Sequence, residues 1–232
     1  MTKTLIHLGR DGQPLAAGRA GAASAADPFA AGRAILFDDG KGHRAGHLRL
    51  DGTVTVAGLG HAELMTVGAG RLVVAGQVHG AGSALVLPRG FAGPVEAAPG
   101  TLVFFVAQAM ADAPAGETAA IALDPALPRN RSAGPAPEVL VSAPPECHSL
   151  NLFTDASGLR AGIWDVSTPC ERRFVPHRIH ELMHLLEGEV TLTHQAEGPA
   201  VFRAGDVIFV PQGAPYAWKN ERKVVKYYSV SG

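Results

Sequence analysis

The sequence predicts an all-β protein built from two tandem β-barrels, and three observations support this prediction. The chain of 232 residues contains 28 glycines and 17 prolines, and only 18% of its residues are charged, which suits short strands joined by tight turns. Short β-branched or aromatic segments recur at spacings of roughly eight to twelve residues, as in a sandwich or barrel. The second half repeats the plan of the first, so we expect two domains of roughly a hundred residues each.

The expected elements follow in chain order. Residues 1–32 are rich in Ala and Gly and are interpreted either as an N-terminal arm that packs on the other half or as a mobile segment. Residues 33–123 form the first barrel, with strands in RAILFDD, HLRL, TVTVAG, ELMTV, RLVVAG, ALVLP and TLVFFVA. Residues 124–138 are proline-rich and are interpreted as a linker. Residues 139–232 form the second barrel, with strands in SLNLFT, RAGIWDVS, ELMHLLE, EVTLTH, DVIFVP and KVVKYYSV.

Two spaced patterns define the repeat. ELMHLLEG, which ends at Gly188, matches ELMTVGAG, which ends at Gly70. GDVIFVPQGAPY in the second half matches GSALVLPRGFAG in the first at its Gly, Pro and Gly positions. Gly70 and Gly188 are expected at turns that need a positive φ. TLVFFVA and KVVKYYSV are apolar on both faces, so we expect them to be buried between the two barrels.

These spacings resemble the cupin superfamily, whose members are jelly-roll barrels, or double-stranded β-helices, of RmlC-like topology. GDVIFVPQGAPYAWKN follows the second cupin signature, G-x5-P-x-G-x2-H-x3-N, except that Tyr216 replaces the histidine. The whole chain resembles a bicupin, and the C-terminal half resembles the ethanolamine-utilisation and ureidoglycine-aminohydrolase-like cupins through GIWDVSTP, HELMHLLEGEVTLTH and VVKYYSV. The resemblance implies two barrels packed side by side.

The resemblance also implies where a metal ion would bind. In metal-binding cupins the first signature, H-x-H-x3-4-E-x6-G, supplies two histidines and a glutamate, which join the later histidine around one ion. At these spacings the second barrel has Val175, His177 and Glu181, with Tyr216 in the last place, so two of four ligands remain. The first barrel retains only Glu63, and one carboxylate does not hold a transition metal, so no metal is expected there.

Two interpretations of the second barrel stay open. His177 and Glu181 share a strand face, so they either hold a divalent ion such as Mn, Zn, Ni or Fe, or form a His–Glu contact that lines an ion-free pocket. Tyr216 is a candidate third ligand or catalytic acid. His180 and His184 lie at odd offsets from Glu181, so we expect them on the opposite face.

Other side chains are expected to line the same pocket. Tyr216 and Trp218 alternate on a strand and would present two aromatic rings with polar tips. Met183 shares the strand face of Glu181, and Arg172, Arg173 and Arg178 lie beside the site in sequence and are candidates to bind a carboxylate-bearing ligand, with Arg178 placed in the pocket. The alternatives are core packing for the aromatic rings and solvated surface positions for the arginines.

The sequence therefore supports two functions. One is a bicupin of unassigned activity that binds a small polar metabolite in the C-terminal barrel, with a weak or absent metal site. The alternative is a metal-dependent enzyme similar to ureidoglycine aminohydrolase, in which His177 and Glu181 hold the ion and Tyr216 is the catalytic group. The ligand is expected to be a small molecule, and pairing into a homodimer is compatible with the fold.

Charge and hydropathy argue against other partners. Twenty Lys and Arg balance 21 Asp and Glu without a basic run, so no nucleic-acid partner is expected. No apolar run has the length of a signal peptide or a membrane span, so we expect no membrane partner and a cytoplasmic location. Cys147 and Cys170 lack metal-binding spacing and are expected to be free thiols.

Overall fold

A computed structural model of the protein describes residues 4–15, 17–20, 27–109, 116–167 and 169–232. Within these ranges the regular structure is β, apart from short 3₁₀ turns at Ala30–Gly32 and Pro137–Val139. The all-β prediction is confirmed. None of the helical segments in the described part is long and apolar enough to cross a membrane.

The N-terminal segment adds strands to both halves of the molecule. Its strands are β1 (Ile6–Arg10), β2 (Gln13–Pro14) and β3 (Arg19–Ala20). β1 runs antiparallel to a strand of the C-terminal half, with Ile6 opposite Phe209, so this part of the predicted arm packs on the other half. Residues 1–3, 16 and 21–26 of the predicted arm lie outside the described residues.

The N-terminal barrel has longer strands than expected. HLRL and TVTVAG form one strand, because its partner runs beside both segments and passes the Asp51–Gly52 position through a bulge between Ala97 and Thr101. Its strands are β4 (Arg33–Asp38), β5 (His43–Val56), β6 (Ala62–Ala69), β7 (Arg71–Val74), β8 (Gln77–Gly80), β9 (Ala84–Leu87), β10 (Gly93–Gln108) and β11 (Ile121–Leu123). The sheet order is β11-β9-β6-β10-β5-β4-β3, and β7 pairs with β10 and β8 beside this path.

The C-terminal barrel includes part of the predicted linker, since Asn130–Ser132 pairs with the first long strand of this half. The strands are β12 (Asn130–Ser132), β13 (Cys147–Thr154), β14 (Arg160–Val166), β15 (Cys170–Pro176), β16 (His180–Glu187), β17 (Glu189–His194), β18 (Gly198–Arg203), β19 (Val207–Val210), β20 (Pro215–Asn220) and β21 (Val224–Ser231). One sheet has the order β12-β13-β14-β21-β16-β19-β1-β2, and the other has β15-β20-β17-β18.

Glycines occupy the repeated turn, as predicted. Gly70 and Gly188 have φ values of 78° and 86°, a region that favours glycine. A Cβ atom on Gly188 would lie 2.1 Å from the Lys223 carbonyl oxygen. This close approach orients β16 and the strand that follows it.

Three apolar cores organise the molecule. One fills each barrel, and the third lies between the barrels and contains side chains of both halves. Along β10, Phe104 belongs to the shared core and Phe105 to the N-terminal barrel; on β21, Val225 and Tyr227 belong to the shared core. The prediction that these strands are buried between the barrels is confirmed.

Candidate small-molecule site

The cupin ligand positions that retain polar side chains meet inside the C-terminal barrel. His177 Nε2 lies 3.1 Å from Glu181 Oε2, and the Tyr216 hydroxyl lies 3.4 Å from His177 Nδ1. The His177–Glu181 contact lacks the alignment of a hydrogen bond, so its contribution is electrostatic. The His177 N–H donates to the Ala214 carbonyl at 2.9 Å, and the Gly213 N–H donates to the His177 carbonyl at 2.7 Å. The second signature therefore holds the first in place.

Strand β16 divides its side chains between the barrel interior and the interface. Glu181 lines the cavity, and Met183 packs in the interior core behind it rather than on the cavity wall. Leu182 belongs to the shared core, and the His184 ring contacts Tyr227 of that core at 5.9 Å. The alternation of the strand thus separates the pocket residues from the interface residues.

Lys226 is the residue that sequence reasoning missed. It projects from β21 into the barrel, where its Nζ donates to Glu181 Oε1 at 2.7 Å. Its side chain is 8% exposed, and the ammonium lies 4.8 Å from the ring centroid of Trp164 and 5.4 Å from that of Trp218. Two cation–π contacts and one buried ion pair therefore fix the ammonium inside the pocket.

Asn220, the asparagine of the second signature, positions the ring of Trp218. Trp218 Nε1–H donates to Asn220 Oδ1 at 2.6 Å, and Asn220 Nδ2 donates to the Arg222 carbonyl at 2.7 Å. The Trp218 indole N–H is therefore satisfied within the wall of the barrel. Its ring packs edge-to-face against Trp164, at 5.9 Å between centroids.

Arg172 rather than Arg178 is the arginine of the pocket. The Arg172 guanidinium lies over the Tyr216 ring, 4.6 Å from its centroid, and its Nε is buried without a hydrogen-bond partner. Arg178 is exposed and lines the outer depression beside the mouth. The bulge between Arg172 and Val175 in β15 sets which arginine faces inward.

These side chains enclose a cavity of about 130 Å³. Pro135, from the predicted linker, closes one side of it, and larger depressions of about 460 and 380 Å³ lie outside the mouth. The wall is formed by Pro135, Cys147, Trp164, Val166, Cys170, Arg172, His177, Glu181, Tyr216, Trp218 and Lys226. A small cavity, partly open to solvent, with apolar walls and a few polar groups is the usual form of a ligand site.

Burial and charge set the ionisation of the pocket. Burial alone would raise the pKa of Glu181, but the Lys226 ammonium and the His177 ring outweigh it and hold that pKa well below its usual range. Burial raises the pKa of Tyr216 to about 12 and that of Cys147 to about 11. The pocket therefore contains a carboxylate, a neutral phenol and a neutral thiol near pH 7.

The residues of this pocket do not fit a divalent metal ion. His177 and Glu181 are the imidazole and the carboxylate of the lining, and among the described residues neither cysteine thiol lies close enough to both of them to complete a group of three ligands. Burial keeps the Tyr216 phenol neutral by raising its pKa. Catalytic metal sites of this kind use at least three protein ligands. The Lys226 ammonium already neutralises Glu181, and a metal on the same carboxylate would repel that ammonium. Like unit charges 4 Å apart repel by about 4 kcal/mol at an effective dielectric of about 20, and a divalent ion doubles that cost.

The N-terminal barrel neutralises its equivalent glutamate in another way. Arg33 donates to both oxygens of the fully buried Glu63, at 3.0 and 2.6 Å, and also to Asp27 at 2.7 Å. His61 Nε2 lies 2.8 Å from Glu63. A bidentate guanidinium already occupies the carboxylate, so this set does not fit a metal ion either.

The strand registers show that the two cations come from different positions. Val67 and Leu185 occupy the same place after the equivalent glutamates, and they pair with Val103 and Lys226. Val103 pairs in turn with Leu48, whose other neighbour is Arg33. Lys226 pairs with Trp164, whose other neighbour is Ser149. Lys226 is therefore equivalent to Val103, and Arg33 to Ser149. Each barrel has supplied its own cation from a different strand.

A second polar cluster lies between the barrels. Asp39, His43 and His180 present ligand atoms that all lie within 4.8 Å of one another, and the two imidazole rings are 4.6 Å apart. Such a group could hold a metal ion. However, the Gln212 N–H donates to His180 Nδ1 at 3.0 Å, so the neutral ring carries its proton on Nε2, the atom nearest Asp39.

Comparison with known proteins identifies the class. The EutQ-like cupin domain family matches residues 154–228. A protein of unknown function of the DUF861 family, from Pseudomonas syringae pv. tomato, is 34% identical, with a TM-score of 0.92 over 99% of this chain and 100% of that chain. This chain therefore belongs to the cupin superfamily, as a bicupin. Within that superfamily, it belongs to the DUF861 family.

More distant structures share the fold alone. A cupin 2 conserved barrel domain protein from Leptotrichia buccalis has a TM-score of 0.60 at 12% identity, over 85% of this chain and 87% of that chain. Protein Ylba from E. coli, also of the DUF861 family, has a TM-score of 0.52 at 12% identity, over 84% and 81%. Comparison with curated protein sequences gave no match.

Proposed function

We propose that the C-terminal barrel binds a small polar metabolite and that it does so without a metal ion. The observation that carries this proposal is the buried Lys226–Glu181 ion pair, at 2.7 Å, inside a small cavity with aromatic walls. In this arrangement Lys226 supplies the fixed positive charge that an ion would otherwise supply. Arg172 and the His177 ring add polar contacts for an entering ligand.

The test combines metal analysis with tryptophan fluorescence. Trp164 and Trp218 are the two tryptophans of the chain, and both line the cavity, so their emission reports on this pocket. After incubation with Mn, Zn, Ni or Fe and dialysis, we expect no bound ion that depends on His177. In EDTA, a panel of short acids, amides and diols is expected to include compounds that change the emission.

His180→Ala is the matched control, because it removes a ligand atom from the interface cluster and leaves the pocket residues in place. Stoichiometric metal that is lost in His177→Ala but kept in His180→Ala would contradict the proposal and favour the metal-dependent enzyme. Metal lost only in His180→Ala would assign the ion to the interface and leave the proposal standing. A panel in which no compound changes the emission would also contradict it.

A further inference from the structure

The charges that line the cavity do not cancel. Two cations, Arg172 and Lys226, face one carboxylate, Glu181. Burial keeps the phenol of Tyr216 and the thiols of Cys147 and Cys170 un-ionised at neutral pH by raising their pKa values. The lining therefore carries one fixed positive charge more than it carries negative charge.

The uncompensated charge belongs to Arg172. Lys226 is paired with Glu181 at 2.7 Å, whereas no carboxylate of the described residues lies within ion-pair distance of Arg172. Its guanidinium rests on the Tyr216 ring, and its Nε is buried and has no hydrogen-bond partner. A cation held on an aromatic face with an unsatisfied donor is suited to bind an anion in a bidentate manner.

The N-terminal barrel provides the internal comparison. There Arg33 contacts two carboxylates, Asp27 and Glu63, and its side chain is 3% exposed. Arg33 also lines a cavity, of about 80 Å³, but its guanidinium is already paired with both carboxylates. Among the described residues, the cavity of the C-terminal barrel therefore differs in that its guanidinium, that of Arg172, is paired with no carboxylate.

We infer that the ligand of the C-terminal barrel is a small monocarboxylate whose carboxylate group binds Arg172 and whose short chain lies against the two tryptophans that line the cavity. This inference rests on the proposed function and gives its ligand class. The cavity of about 130 Å³ equals about four water molecules at roughly 30 Å³ each, so the acid has a short chain. A dicarboxylate would bring two negative charges to a pocket that has one uncompensated positive charge.

The experiment compares acids with their amides. Acetate, propionate and glycolate are titrated against acetamide, propionamide and glycolamide, at constant ionic strength, with tryptophan emission as the signal. A charged hydrogen bond contributes about 1.5–3 kcal/mol, so we expect the acids to bind about 10- to 100-fold more tightly than the amides. Arg172→Gln should abolish this preference, and Arg172→Lys should retain part of it.

Arg173→Gln is the matched control, because Arg173 is the next residue on the same strand and is exposed; it should leave the preference unchanged. Amides that bind as tightly as acids, or a preference that survives in Arg172→Gln, would overturn the inference and leave the proposed function intact. Failure of both acids and amides to bind would overturn the inference as well. If Arg172→Gln does not fold, the inference is tested by the ratio of acid affinity to amide affinity, compared between the wild-type protein and Arg172→Lys.

Discussion

At the scale of single residues, the main result is that a protein cation faces the cupin glutamate in both barrels. Glu63 is bound by Arg33, and Glu181 by Lys226. A desolvated carboxylate needs a counter-charge. In metal-binding cupins the bound ion supplies this charge. Here two different strand positions supply it, which indicates that the charge balance of the barrel, rather than any one residue, is the constraint.

Removal of the Lys226 ammonium should destabilise the protein strongly. Lys226→Met leaves the Glu181 carboxylate buried without its closest partner, and breaking a buried pair in this way costs about 3–5 kcal/mol. We expect a decrease of that size in the free energy of unfolding, measured by urea denaturation at pH 7.

The double variant Lys226→Met/Glu181→Gln is the control, because it removes both charges. It should recover most of the lost stability, since a neutral pair of similar volume carries little desolvation cost. Equal stability of Lys226→Met and the wild-type protein would show that the carboxylate does not depend on the ammonium.

At the scale of elements, strand alternation explains which site residues could be predicted. His177, Glu181 and Tyr216 stand at family spacings, and the structure brings their side chains together. Lys226 could not be predicted as a pocket residue, because the sequence of KVVKYYSV indicates only a buried interface strand. In the structure, the alternation of that strand turns Lys226 toward the pocket. Strict alternation would place Arg173 rather than Arg172 on the face of Val175 and His177, because the bulge in β15 leaves no trace in residue spacing.

The interface face of β16 should make stability depend on pH. Burial lowers the pKa of His184 to about 4, against about 6.5 in an unfolded chain. Between these values the unfolded chain takes up a proton that the folded protein does not, so stability falls as the pH falls from about 6.5 to about 4. The loss reaches about 3 kcal/mol at about 1.4 kcal/mol per pH unit.

His184→Leu should remove this contribution. Urea midpoints measured from pH 4 to pH 7.5 should fall less steeply for the variant than for the wild-type protein, and the difference should be confined to the window below about pH 6.5. His7 and His79, whose pKa values burial also lowers, remain in both proteins and cancel in the comparison. Parallel pH profiles would show that His184 does not titrate in this way.

At the scale of the whole molecule, the repeat predicted two barrels but not how firmly they are joined. The shared core contains Leu8, Phe104 and Leu182, from the N-terminal segment and both barrels. Arg10 also donates to Asp206, at 2.7 and 2.9 Å. Internal similarity reveals the unit that is duplicated, whereas the N-terminal strand β1, which pairs with the C-terminal half, lies outside the repeated patterns.

This continuity predicts that the two barrels unfold together. Both tryptophans lie in the C-terminal barrel, at Trp164 and Trp218, so tryptophan emission follows that barrel, whereas far-ultraviolet circular dichroism follows both.

Leu72→Ala tests the coupling, because Leu72 is fully buried inside the N-terminal barrel and its truncation should cost about 2–5 kcal/mol. If the shared core couples the barrels, the urea midpoints of both signals should shift equally in the variant. A shift in circular dichroism alone, with tryptophan emission unchanged, would show that the barrels unfold independently and that the shared core does not transmit the loss.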